Sequence, residues 1–306
     1  MVEAFALTKC FINFWALQGI SLKVRPGEVL ALLGPNGAGK TTTIRILSAV
    51  LKPTSGRAVV CGHDVVADAP RVRSLVGVLT ELPGLYDRMS ARSYLEFFGE
   101  LHRVPRDLLK GRLNDLLDHF GLGPVADRRL GTLSKGLRQK VALIRALVHD
   151  PRVLFLDEPT SAMDPASARQ VREFIAGLRR ADRAIIISTH NLPEAELLAD
   201  RIAVVAQGRL VAEGTAPELK RLFAGPPTFE LKFTGPAEAA RRALNGDVRI
   251  LDSAPGRVRY QVADPARNPG LVERLVAAGV GILSLTEVSP SLEEAYLRIT
   301  GGEGQS

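Results

Sequence analysis

Gly34-Pro35-Asn36-Gly37-Ala38-Gly39-Lys40-Thr41 is the stretch from which this chain is best read. Before it runs Val29-Leu-Ala-Leu-Leu33, apolar throughout, as a strand buried on both faces would be. After it comes Thr42-Thr-Ile-Arg-Ile-Leu-Ser-Ala-Val50, where apolar residues recur at helical spacing. Strand, glycine-rich loop, then helix is the context in which GxxxxGK[ST] becomes a phosphate site. Gly34, Gly37 and Gly39 permit backbone conformations and close approaches that a Cβ would forbid. Pro35, Asn36, Ala38 and Thr42 complete a cradle whose backbone N–H groups, with the helix N-terminus, form a concave anion site. Lys40 is placed to reach β- and γ-phosphates, and the Thr41 hydroxyl to complete a Mg²⁺ shell. The chain is expected to bind a nucleoside triphosphate with Mg²⁺.

Further along, Val153-Leu-Phe-Leu156 reads as a buried strand that ends in Asp157-Glu158. Adjacent carboxylates at a strand end suit a phosphate loop: Asp157 can hold the metal shell while Glu158 polarises an attacking water. On its own Asp-Glu after an apolar strand is common. Its position 117 residues after Lys40, before the turn Pro159-Thr-Ser-Ala-Met-Asp164, makes it more telling. His190 follows another buried run, Ala184-Ile-Ile-Ile-Ser188, where an imidazole could meet a γ-phosphate. Phe11 lies upstream of the loop and could stack on a base, although a lone aromatic is more often core.

Between loop and carboxylates, residues 90 to 149 have a helical texture. Leu109, Leu113, Leu116, Leu117 and Phe120 share one face before Gly121, and Leu137, Val141, Ile144, Leu147 and Val148 share another after the N-cap candidate Ser134. Such a block looks like a helical subdomain inserted into an α/β core with a mainly parallel sheet. Residues 3 to 28 read as an antiparallel β-layer of short runs, Phe5–Leu7, Ala16-Leu17 and Ile20–Val24.

Leu133-Ser-Lys-Gly-Leu137, continuing Arg138-Gln-Lys140, resembles the signature LSGGQ of ATP-binding-cassette (ABC) ATPases, across residues 1 to about 215. The resemblance implies a P-loop core of ABC type that binds ATP and Mg²⁺. It further implies two cassettes paired head to tail, with Ser134 and Gly136 of one copy completing the phosphate site of the other. By the same resemblance Phe11 is the adenine-stacking aromatic, Asp157 the Walker B aspartate, Glu158 the catalytic glutamate, Ser161 to Asp164 the D-loop and His190 the switch histidine. Three positions, two in the signature and one outside it, depart from the pattern. Lys135 and Leu137 replace a glycine and a glutamine, and Glu81 stands where the family has a Mg²⁺-contacting glutamine that relays to the membrane subunit. The charged variants resemble the cassettes of bacterial exporters whose permease is a separate polytopic chain, and whose C-terminal extension resembles residues 226 to 306.

Composition agrees with a soluble globular chain: 306 residues, 46% hydrophobic and 24% charged. The net charge of +7 is spread rather than blocked, so no nucleic-acid partner is expected. Cys10 and Cys61 lack any metal-ligand spacing and suit a reducing compartment. With no run of ~18–20 apolar residues and no basic, apolar leader, the chain is expected in the cytoplasm, peripheral on the cytoplasmic face of the membrane. Gly225-Pro-Pro227 marks a boundary, giving an ATPase domain over 1–224, with its helical subdomain at about 88–150, and an α+β accessory domain over 225–306. The latter's β-α-β-β-α-β order, with a closing helix over 292–299, would suit a ferredoxin-like module. Three functions compete: the ATPase of an exporter, a soluble ABC ATPase acting on ribosomes or DNA, and a nucleotide-gated module without turnover. A single cassette, with no room for heptad coiled coils between Thr41 and Ser134, weighs against the second. Glu158 and His190 weigh against the third.

Overall fold

The computed structural model describes residues 1–288 apart from 83, 162, 223–225 and 247. The chain divides into two compact units, Met1–Ala216 and Pro217–Ser306.

The first unit opens with β1 (Val2–Phe11) and β2 (Phe14–Val24), an antiparallel pair. These strands are longer than the short runs expected from the sequence. Register shifts around Ala6, whose φ is 45°, break the period-2 alternation, so only fragments of each strand are legible. β3 (Val29–Leu33) is buried at every residue and leads into the phosphate loop. α1 (Lys40–Leu47) starts earlier than the apolar periodicity indicates, because Gly39 at φ 108° forms its N-cap and releases the chain into the helix at Lys40. It also ends earlier, with Ala49 at φ 56° and Val50 exposed. β4 (Ser55–Val60) and β5 (His63–Asp64) complete a four-stranded sheet in the order β2-β1-β4-β5.

α2 (Ala69–Leu75) and β6 (Val76–Leu79) then lead to the helical block: α3 (Ala91–Leu101), α4 (Arg106–His119) and α5 (Lys135–Leu147). Ser90 caps α3 and Ser134 caps α5, their hydroxyls accepting from Ser93 N at 3.1 Å and Leu137 N at 3.3 Å. The inward faces of the three helices share one core, with Leu95, Leu113, Phe120 and Ile144 among its buried members. Next come β7 (Val153–Asp157), α6 (Pro165–Gly177), β8 (Ala184–Thr189), α7 (Leu192–Leu198), β9 (Arg201–Ala206) and β10 (Arg209–Gly214). The central sheet runs β10-β9-β3-β8-β7-β6, parallel except for the β9–β10 hairpin. β3, β7 and β8 have no exposed residue, which a parallel sheet covered on both faces requires.

α8 (Ala216–Leu222) spans the division between the units. The second unit contains β11 (Thr228–Thr234), α9 (Ala237–Leu244), β12 (Arg249–Ala254), β13 (Arg257–Gln261), α10 (Asn268–Ala277) and β14 (Gly281–Val288). Its sheet order is β12-β13-β11-β14, with every neighbouring pair antiparallel. Leu231, Phe233, Leu244, Tyr260, Leu271 and Leu275 fill its own core. The helix expected over 292–299 lies outside the described residues.

Candidate nucleotide site

The C-terminal ends of four parallel strands bring together most of the residues singled out from the sequence. The loop 34–41 follows β3, Glu81 follows β6, Asp157-Glu158 closes β7, and His190 follows β8. Ligands in open α/β sheets bind at such strand ends. A cavity of about 390 Å³ opens there, lined by Phe11, Phe14, Ala16, the loop from Pro35 to Thr42, Glu81 and Glu158.

Sterics explain two of the loop glycines. A Cβ on Gly34 would sit 2.2 Å from Val205 O, and one on Gly39 would sit 2.7 Å from Ala16 O, so the loop lies directly against β9 and β2. Lys40 is 6% exposed, and its Nζ donates to Gly34 O at 2.6 Å and Pro35 O at 3.0 Å. Burial pushes the Lys40 ammonium below its ordinary range, while the negative charges of Glu158, Asp157 and Glu81 act the other way. A desolvated cation at the N-terminus of α1 fits a polyphosphate, and the cavity's aromatic end fits a base.

Asp157 is buried and its Oδ1 accepts from Ser188 Oγ, which orients the carboxylate at the strand end. Glu158 is also buried and adopts φ 51°, a left-handed conformation that costs a non-glycine residue on the order of 1–3 kcal/mol. Its N–H donates to Ser188 O at 3.0 Å, which holds the turn in place. The Glu158 Oε1 atom lies 2.9 Å from His190 Nδ1 and 3.8 Å from Lys40 Nζ. A strained, buried carboxylate between an ammonium and an imidazole can order a water and accept its proton. Thr41, Asp157 and Glu81 supply the oxygen donors a hard divalent cation prefers.

Ser134 and Gly136 lie elsewhere. They line a second concavity of about 350 Å³ with Lys135, Leu137, Lys140, Asp164 and Ser167. The nucleotide cavity of the same chain includes none of these residues.

Sequence reasoning passed over Phe14 and Ala16 in the cavity and Ser188 behind Asp157. Phe14 stands opposite Phe11 across the two-residue tip of the β1–β2 hairpin. Recognising that hairpin would have put both rings at one end of the site. Lys9 Nζ lies 5.1 Å from the Phe11 ring centroid, a cation–π contact on that ring.

A phosphate loop between a buried parallel strand and a helix, with paired carboxylates at the end of a nearby strand, defines a P-loop nucleoside triphosphatase. Residues 17–161 match the family model for ABC transporters. The chain is 38% identical over 296 residues to the daunorubicin resistance ATP-binding protein DrrA3 of Streptomyces coeruleorubidus, covering 94% of this chain and 92% of that one. Among solved structures it is similar to the ATP-binding subunit of an ABC transporter, with TM-score 0.69 and 27% identity over 73% of this chain and 93% of that chain. It shares its fold with the dimeric ATP-binding cassette MJ0796 bound to ADP and Pi, at TM-score 0.66 and 23% identity over 70% of this chain and 98% of that one. The chain belongs to the ABC transporter family, and it is an ATP-binding ATPase of that family.

Proposed function

We propose that this chain energises an exporter through a separate polytopic membrane permease, working as a homodimer with two composite sites. The observation that carries this is the split of the expected machinery between two concavities. Lys40, Glu81 and Glu158 face one, whereas Ser134 and Gly136 face another on the same chain. A head-to-tail pair unites the two halves: the Ser134 hydroxyl, the Gly136 backbone and the N-terminus of α5 from one copy cover the phosphates gripped by the other.

Within each site Lys40 and the loop N–H groups bind the phosphates, and Phe11, with Phe14 beside it, packs on the base. Thr41, Asp157 and Glu81 would hold Mg²⁺, which when bound neutralises charge on the β- and γ-phosphates. Glu158 orients the attacking water and takes its proton, and His190 holds the Glu158 carboxylate and faces the γ-phosphate position. Residues 1–224 form the ATPase domain, and 225–306 form a ferredoxin-like accessory domain, the reading supported by the β12-β13-β11-β14 order. Among the described residues no helix is long and apolar enough to cross a membrane, and in this reading a partner supplies the spans. That partner places the chain at the cytoplasmic face. The name of the daunorubicin resistance relative supports a drug as the cargo class. A role on ribosomes or nucleic acid is not favoured.

The test is purification of the tagged chain from its native membranes. A copurifying polytopic protein that stimulates ATP hydrolysis supports the proposal. Isolation with ribosomes or nucleic acid, in the absence of any membrane protein, overturns it.

A further inference from the structure

We infer that Glu194 is a positioning residue for hydrolysis: its buried carboxylate fastens the segment that carries Glu158 to the segment that carries His190. The inference rests on the roles proposed above for those two residues. Glu194 is 2% exposed, and both its oxygens are used. Oε1 accepts from Thr160 Oγ1 and Oε2 from Thr189 Oγ1, each at 2.6 Å. Thr160 stands two residues after Glu158, and Thr189 is the last residue of β8, immediately before His190. One carboxylate therefore spans the two strand ends whose catalytic groups meet at 2.9 Å.

Helix capping does not account for this arrangement. Asn191-x-x-Glu194 has the spacing of a capping box, in which the glutamate returns to the N-cap N–H. Asn191 Oδ1 does accept from Glu194 N at 3.0 Å. The return contact, however, is made by a different group: Asn191 N donates to Thr189 Oγ1 at 3.0 Å, and that hydroxyl donates in turn to Glu194 Oε2. The carboxylate is left free to bridge the two threonines. A cap at the surface needs no buried carboxylate; this one is desolvated and compensated by the two threonine hydroxyls, so it holds both threonines in place. Two bonds of 2.6 Å, one to each oxygen of the same buried carboxylate, suit a fixed spacer.

The test uses the full-length chain, with MgATP turnover measured by phosphate release and ATP affinity by calorimetry. Glu194→Ala should lower kcat by about tenfold or more and leave ATP affinity within about threefold, because a small misplacement of reacting groups is costly while Lys40 and its loop are untouched. Glu194→Gln keeps one acceptor and should lose less. The His190→Ala/Glu194→Ala pair should lose less than the product of the two single losses, since both act through the same contact. Losses that multiply, or affinity that falls in step with kcat, would mean a merely structural residue. Should Glu194→Ala fail to fold, the isosteric Glu194→Gln is compared in the same way. Wild-type turnover in His190→Ala would overturn the role given to His190, whereas wild-type turnover in Glu194→Gln would overturn this inference whatever His190→Ala does.

Discussion

At Glu158 the backbone and the side chain are committed together. The turn at φ 51° directs the carboxylate into the cavity, and His190 and Lys40 hold it there. An amide keeps the shape but cannot accept a proton from water. Glu158→Gln should therefore bind ATP normally and lose about 10²–10⁴-fold in turnover, as general-base removal does; a single-turnover assay beside a binding isotherm checks this. Glu81 calls for a different expectation. It lines the cavity and its charge reaches Lys40, yet it is exposed and Thr41 and Asp157 remain as metal donors. Glu81→Gln should change ATP affinity by less than about tenfold, or 1.4 kcal/mol. Its larger effect should fall on stimulation by the membrane partner. Basal and stimulated rates that both match wild type would leave Glu81 without a coupling role.

The elements around the site contain one feature that should be visible in the pH dependence of stability. His102, which closes α3, stacks on His149, just beyond α5, with ring centroids 3.7 Å apart and planes 7° from parallel. His149 Nε2 lies 3.1 Å from Val76 O and therefore carries the proton, while the buried Nδ1 has no partner. Burial, and then the neighbouring His102, push His149 down to about 4; Arg112 adds to the shift, and the Val76 carbonyl and Asp150 oppose it. The folded value lies below the unfolded one of about 6.5, so the unfolded chain binds more protons between the two. Stability from the neutral ring is complete above about pH 6.5 and declines as pH falls toward about 4. The melting temperature should drop across that window, and His149→Phe should flatten part of the drop. The elements themselves were unequally legible in the sequence. β3 and the loop could be read because their signal is local, an apolar run and eight contiguous residues. The bulged β1–β2 pair could not, because its register depends on a backbone kink at Ala6 that no pattern announces. Glu194 escaped notice because its spacing is that of an ordinary cap and its partner Thr160 is 34 residues away.

For the whole molecule, Gly136 offers a clean test of shared sites. A Cβ added there meets nothing within 4 Å, so Gly136→Ala should leave the fold and ATP affinity of a single chain unchanged. If a second copy's phosphates pack against that backbone, turnover should still fall by about tenfold or more, because the added methyl displaces them from their positioned donor. Mixing Lys40→Ala with Ser134→Arg chains should then restore at most one intact composite site per dimer. An isolated monomer as active as the dimer would defeat this arrangement. The sheet order also bears on how the chain is made. β3 lies between β8 and β9, pairing Val29 with Ile185 and Leu30 with Arg201. On the ribosome the phosphate-loop strand must therefore wait for neighbours synthesised roughly 10–30 s later, at 5–20 residues per second. During that interval an apolar five-residue strand has nothing permanent to pair with, which makes the nascent chain a client for chaperones. A chain halted anywhere between Thr41 and Ala184 should carry the whole motif and yet bind no nucleotide.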